Sequence, residues 1–192
     1  MKKEKFISII FKNTPKESLI NMLNDFLKGL LGNYINPSYE DSVLTVFFDD
    51  VQEIDFEEII QSLNEDFYLS ATLFESGLLY SGIDKTEYSI FIFNNKTKLL
   101  SCNRMFVSEA ELIKLGLVSP IVIKNILKEF YEDYQMKEVI KTYLNSNMNI
   151  SKAANKLYMH RNTVMNKIDK FIKNTGYDIK EFKNAFIIYH II

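Results

Sequence analysis

Asn149 to Ile168 is the segment that most limits how this chain can fold, because its apolar residues repeat at helical spacing on both sides of a short polar break. A first helix is predicted to begin at Asn149, whose side-chain oxygen can accept hydrogen bonds from free first-turn backbone N–H groups. The residues predicted to face inward are Ile150, Ala153, Ala154 and Leu157, then Met159 in the turn, then Val164, Ile168, Phe171 and Ile172. Since two alanines allow helices to approach closely, the pattern predicts two helices that cross about a tight turn.

The outer face of the second helix carries polar and basic residues: Arg161, Asn162, Thr163, Asn166, Lys167 and Lys170. Arg and Asn can form paired hydrogen bonds to guanine and adenine edges, while Thr and Lys reach phosphates. Helix pairs with alanines at the crossing also occur in ordinary bundles, so this pattern alone leaves DNA binding and a purely structural role both open.

Charge and arginine usage favour DNA binding. From Lys137 to Lys183 the chain has ten Lys and Arg residues against four acidic ones, a local net charge of +6, whereas the whole chain carries −2 and the remainder therefore −8. A basic segment beside an acidic body is typical of a domain that binds a polyanion. Only two arginines accompany twenty-one lysines, and one of the two, Arg161, begins the second helix. The planar guanidinium suits base recognition better than an ammonium does.

The run N-x-S-x-A-A-x-x-L-x-x-H-R-N-T from Asn149, followed by T-G-x-D at Thr175, resembles the C-terminal helix-turn-helix of PucR-type transcriptional regulators. The likeness extends from about Met136 to Ile192. Over a shorter span the chain is similar to the Fis-like helix-turn-helix of enhancer-binding activators. The resemblance implies a set of DNA-binding residues: Ser151 and Lys152 near phosphates, His160, Arg161, Asn162 and Thr163 in or beside the major groove, and Asn166 and Lys167 one turn later.

The chain departs from the PucR pattern at several positions. Met165, Lys167 and Asp169 stand where such sequences commonly carry arginines, which thins the basic face. Tyr158 stands where many helix-turn-helix units have glycine, which puts a positive φ at that position in doubt.

The amino-terminal half reads as alternating strands and helices and loosely resembles a degenerate GGDEF-like domain in order and size. The predicted elements are a strand at Phe6–Phe11, a helix at Pro15–Leu31 begun by a capping box at Thr14 to Glu17, a strand at Ser42–Phe48, a helix capped by Asp55, a strand at Phe67–Phe74, and a β-hairpin of Glu87–Phe93 and Lys98–Cys102. The fold class is therefore α+β: an α/β sandwich with a mixed sheet and helices, followed by an all-α helix-turn-helix domain.

Three domain ranges follow from this pattern: residues 1–104 for sensing or dimerisation, 105–135 as a helical connector, and 136–192 as the DNA-binding domain. Within the connector, Ser108 to Glu111 forms a capping box, and Ser119 and Pro120 begin a helix that reaches about Tyr131. Further helices are expected at Met136–Leu144 and Phe182–Ile191. His190 is interpreted as a packed aromatic residue rather than a ligand.

No pattern of catalytic residues accompanies these elements. The sequence contains no G-G-D-E-F run, glycine-rich phosphate loop, G-x-S-x-G elbow or H-E-x-x-H pair. Asp49 and Asp50 follow a strand, where two carboxylates could hold a magnesium ion. Acidic residues at the end of a strand more often belong to a solvated turn. Cys102 is the only cysteine, which excludes an internal disulfide and a zinc finger. We therefore expect no enzymatic activity, no metal and no cofactor.

The expected location is the cytoplasm, without a membrane span. No apolar run approaches the roughly 18 to 20 residues that a bilayer requires, and the segment from Met1 to Phe11 is followed by Lys12 rather than a cleavage site.

Together these features predict a transcriptional regulator that reads duplex DNA in the major groove through its C-terminal helix-turn-helix, as a homodimer. Two alternatives stay open: a Fis-like architectural DNA-binding protein, and a partner-binding module that has lost DNA binding. The sequence identifies no small-molecule effector.

Overall fold

Two units make up the chain, Met1–Leu117 and Val118–Ile192. The structure is a computed structural model and describes residues 3–32, 34–50 and 53–192. Met1 and Lys2, the first residues of the segment in which no cleavage site was expected, lie outside the described residues. The boundary between the two units falls inside the connector predicted at 105–135.

A five-stranded mixed sheet organises the first unit, in the order β2-β3-β1-β4-β5. Its strands are β1 (Glu4–Phe11), β2 (Tyr34–Glu40), β3 (Val43–Asp49), β4 (Ala71–Glu75) and β5 (Phe106–Ser108). β1 pairs antiparallel with β3 and β4, β2 pairs antiparallel with β3, and β5 pairs parallel with β4. β1 can occupy the centre of the sheet because its side chains are buried on both faces. Its one buried hydroxyl, that of Ser8, forms a 3.0 Å hydrogen bond with the hydroxyl of Thr45.

Helices cover both faces of this sheet. α1 (Glu17–Leu31) and α2 (Phe56–Asp66) bury Leu23, Leu27 and Ile60 against the face that carries Ile7 and Ile9. The opposite face contacts α3 (Lys85–Asn94). In this contact the rings of Phe6 and Tyr88 meet edge to face, with their centroids 5.1 Å apart. α4 (Lys96–Ser101) and α5 (Glu109–Lys114) complete the unit. The tyrosine hydroxyl of Tyr88 donates a 2.7 Å hydrogen bond to the buried carboxylate of Glu109.

The predicted β-hairpin at Glu87–Phe93 and Lys98–Cys102 is wrong, because these residues form α3 and α4. The run is rich in aromatic and β-branched residues, which favour strands. Two other features decide the outcome. Asp84 caps α3 by accepting from the backbone N–H groups of Thr86 and Glu87, and the buried residues Tyr88, Ile92 and Leu99 recur at helical spacing.

Other boundaries differ as well. The capping box predicted at Thr14 is wrong: α1 begins at Glu17, and the Thr14 hydroxyl instead lies 3.1 Å from that of Ser42. β2 was not predicted, and β4 begins at Ala71 rather than Phe67. The caps at Asp55 and at Ser108 to Glu111 are confirmed.

The second unit is helical throughout its described elements. They are α6 (Pro120–Leu127), a 3₁₀ turn (Lys128–Phe130), α7 (Tyr134–Leu144), α8 (Ile150–Lys156), α9 (Arg161–Thr175) and α10 (Phe182–Ile191). α6 ends at Leu127 rather than at the predicted Tyr131, because the 3₁₀ turn begins at Lys128. A mixed sheet with helices followed by a helical unit confirms the predicted fold class.

Candidate nucleic-acid interface

The start of α8 is held by the cap that the sequence predicts. The Asn149 side-chain oxygen accepts from the backbone N–H of Lys152 at 3.0 Å. At the start of α9 the His160 ring nitrogen Nδ1 accepts from the backbone N–H of Asn162 at 3.2 Å. His160 is thus engaged in fixing the first turn of α9, a role that the sequence did not suggest for it. The two caps set where each helix begins and which residues its first turn exposes.

Ala153 and Ala154 are both buried, as are Val164 and Ile168 on α9. This confirms the predicted phase of the two helices, with the alanines inside. Small side chains at these positions allow the backbones of α8 and α9 to approach closely. Since the apolar stripe of α9 faces inward, its polar residues are turned outward.

The turn between α8 and α9 has the hydrogen-bond pattern of a Schellman motif. The backbone N–H of Met159 donates to the carbonyl of Ala154 at 3.0 Å, and that of Tyr158 donates to Asn155 at 3.3 Å. Tyr158 has φ of 53°, in the left-handed region. The turn therefore requires a positive φ although the position is not glycine, and the exposed tyrosine adopts it.

Eight of the nine residues predicted to contact DNA have exposed side chains: Ser151, Lys152, His160, Arg161, Asn162, Thr163, Asn166 and Lys170. The ninth, Lys167, is half-buried. Ser151 and Lys152 lie in the first turn of α8, and the others follow one another along the cap and first three turns of α9. These two helices pack together, so the structure gathers the predicted residues on the α8–α9 pair.

Two of the lysines have neighbours within the same unit. The Lys167 ammonium donates to the side-chain oxygen of Gln135 on α7 at 3.3 Å. The Lys170 ammonium lies 5.7 Å from the centroid of the Phe130 ring, a cation–π distance. Both ammonium groups therefore already have a partner within the protein, whereas the Lys152 ammonium has no such contact among the described residues.

Lys173 is not among the nine predicted residues. It is exposed and lies two helical turns after Asn166, so the two residues share one face of α9. An acidic residue on the same helix, Asp169, forms an ion pair with Lys180 at 2.8 Å. The hydrogen bond to Asp169 raises the pKa of Lys180 above its usual value.

Asp50, considered above for magnesium, instead lies 3.4 Å from the ammonium of Lys5, which also contacts Glu75 at 2.9 Å. Burial by itself would lower the pKa of Lys5, but the two carboxylates raise it above its usual value. Within residues 3–32, 34–50 and 53–192, no group of three or more His, Cys, Asp or Glu side chains is arranged to hold a metal ion. No helix of the described chain is both long enough and apolar enough to cross a bilayer.

Comparison with known proteins identifies residues 136–190 with the PucR C-terminal helix-turn-helix domain. The chain is 26% identical over 156 residues to the uncharacterized protein YxkF of Bacillus subtilis (strain 168), across 71% of this chain and 49% of that protein. It thus spans about half the length of this curated relative. The crystal structure of a regulator of polyketide synthase expression from Bifidobacterium adolescentis matches 100% of this chain and 79% of its own, with a TM-score of 0.50 and 14% identity. At that identity the likeness is one of fold.

Proposed function

We propose, from the premise that residues 136–190 form a PucR-type helix-turn-helix domain, that this protein is a transcription regulator that binds duplex DNA through α8 and α9. The observation that carries this proposal is the outer face of α9. Arg161, Asn162 and Thr163 are exposed in the first turn of a helix whose opposite stripe is fully buried. In helix-turn-helix proteins the N-terminal residues of the second helix are the ones that contact base edges.

In this proposal α9 lies in the major groove. The groove is about 12 Å wide, close to the roughly 10–12 Å diameter of a helix with its side chains. The first turn of α9 then reaches base edges, with Arg161 suited to guanine and Asn162 to adenine. Lys152 on α8 contacts a phosphate beside the groove. Its charge gives affinity without sequence preference.

The protein is proposed to act as a homodimer in the cytoplasm. One helix-turn-helix reads only a few base pairs, so two units on half-sites one helical turn apart, about 34 Å, multiply specificity. The first unit is proposed as a sensing or dimerisation domain rather than an enzyme.

Substitutions at Arg161 and Lys152 test this function after a preferred duplex has been selected from random DNA. Arg161→Ala should weaken binding to the selected duplex by about 1–3 kcal/mol and leave binding to a random duplex much less affected. Lys152→Ala should weaken both duplexes by similar factors and reduce the dependence of log affinity on log salt by about one unit. Both side chains are exposed, so neither change should disturb folding.

The outcomes separate the proposal from its two alternatives. Equal losses on both duplexes for Arg161→Ala would make Arg161 a phosphate contact and favour an architectural protein of Fis type. One observation favours the second alternative, a partner-binding module. Lys167 and Lys170 both contact residues of their own unit, which leaves them less available to phosphates. Affinity that does not change between low and physiological salt would support that module and refute the proposed DNA binding.

A further inference from the structure

Met165 is the exposed apolar residue of α9. In this helix, all of whose residues the structure describes, the other large apolar side chains are buried or half-buried: Val164, Ile168, Phe171 and Ile172. Met165 keeps 38% of its surface accessible. Single exposed apolar residues are ordinary on protein surfaces, so exposure alone assigns Met165 no role. The role follows from its position on the helix.

Met165 lies beside the residues that the proposed function places at the DNA bases. It follows Arg161 by four residues and Asn162 by three, and both of these are exposed. Residues at these spacings are neighbours on a helix surface, and a helical side chain leans toward the N-terminal end of its helix. The methionine side chain therefore covers the surface next to Arg161 and Asn162.

The major groove presents one apolar group among its base edges, the C5 methyl of thymine. Guanine, adenine and cytosine present hydrogen-bond donors and acceptors there instead. The Met165 thioether has no donor and only a weakly accepting sulfur, so it cannot replace the water that these polar edges would lose. It also carries no charge for a phosphate. The thymine methyl is therefore the groove group that this side chain complements.

We propose that Met165 is a specificity-determining residue, whose side chain packs on the C5 methyl of a thymine next to the bases contacted by Arg161 and Asn162. This inference rests on the proposed function, because it needs α9 in the major groove. Methionine suits the contact, since its unbranched chain has three rotatable bonds and can adjust to the position of the methyl group. A G·C pair at this position is disfavoured, because its polar edge would lose water without gaining a partner.

The size of the effect distinguishes this contact from those of the basic residues. Burial of one methyl group changes affinity by about fourfold, which is small but measurable. No counterion is released when an apolar side chain meets a methyl group, so this factor should not depend on salt. Contacts of lysine and arginine to phosphates do depend on it. The salt dependence of each loss therefore identifies its cause.

The test uses the full chain and the preferred duplex selected from random DNA. Each thymine is replaced in turn by deoxyuridine, which removes the C5 methyl and keeps the base pair. The wild type should lose about fourfold in affinity at one of these positions, equally at about 50 and 200 mM salt. Met165→Ala should bind the unmodified duplex more weakly and lose the response to deoxyuridine at that position. Met165→Leu, which keeps a large apolar side chain, should retain most of the response.

Met22→Ala is the matched control, because Met22 is a helical methionine of the first unit with 37% of its surface accessible. This variant should respond to deoxyuridine as the wild type does. The role of Met165 is overturned if no thymine responds to loss of its methyl group, or if the response survives in Met165→Ala. With salt-dependent binding and the Arg161→Ala loss on the preferred duplex intact, either result leaves the proposed function in place. A chain that binds no duplex, or binds every duplex equally, would refute base recognition by α9 and the role of Met165 together.

Discussion

Replacement of Tyr158 by glycine should stabilise the second unit. The tyrosine is 97% exposed, so its removal loses almost no packing, while its φ of 53° lies in the left-handed region. That conformation costs a residue with a Cβ atom roughly 1–2 kcal/mol. Glycine avoids this cost but loses more chain entropy on folding, by roughly 0.5–1 kcal/mol. The difference is a net stabilisation of about 0.5–1 kcal/mol, or roughly 2–8 °C in the midpoint of thermal unfolding for a unit of this size.

Two further variants isolate the backbone as the cause. Tyr158→Asn should fall between tyrosine and glycine, because asparagine tolerates the left-handed region better than most residues. Tyr158→Ala keeps the Cβ atom and should leave stability within about 0.5 kcal/mol of the wild type. Hydrogen exchange of the α8 and α9 amides in the full chain measures the stability of this unit separately from the first. If alanine stabilises as much as glycine, the ring rather than the backbone carries the strain and the reasoning is wrong. A loss of stability with glycine would also refute it.

Two core predictions follow from close approaches. Ala154→Leu should destabilise the second unit by roughly 1–3 kcal/mol through overpacking, while the exposed neighbour Asn155→Leu should not; equal melts for the two variants would place Ala154 away from the crossing. Gly77→Ala should destabilise the first unit by about 1–3 kcal/mol, because the new Cβ atom would overlap the buried carboxylate of Glu109. Gly29→Ala is its matched control: nothing lies within 4 Å of the added atom on α1, so denaturant unfolding should show a gain of up to about 1 kcal/mol.

Local signals in the sequence were sufficient for the α8–α9 pair. Asn149, the two alanines and the apolar stripe of α9 lie within one short segment, and each acts through neighbours three or four residues away. The same holds for the caps at Asp55 and Ser108. Where the cap, the apolar period and the turn all agreed, the element and its buried face could be predicted, and so could the exposed residues of the candidate site.

Tertiary structure decided the remainder, because there the determining contacts join residues distant in sequence. Residues 87–102 favour strands by propensity, yet Tyr88 reaches the ring of Phe6 and the carboxylate of Glu109 only from a helix packed on the sheet. Lys167 reads as a free cation until α7 brings Gln135 beside it. The positive φ of Tyr158 depends on the path the chain takes from α8 to α9. Propensity and periodicity describe a residue's neighbours along the chain, whereas these features depend on which surface each residue meets after folding.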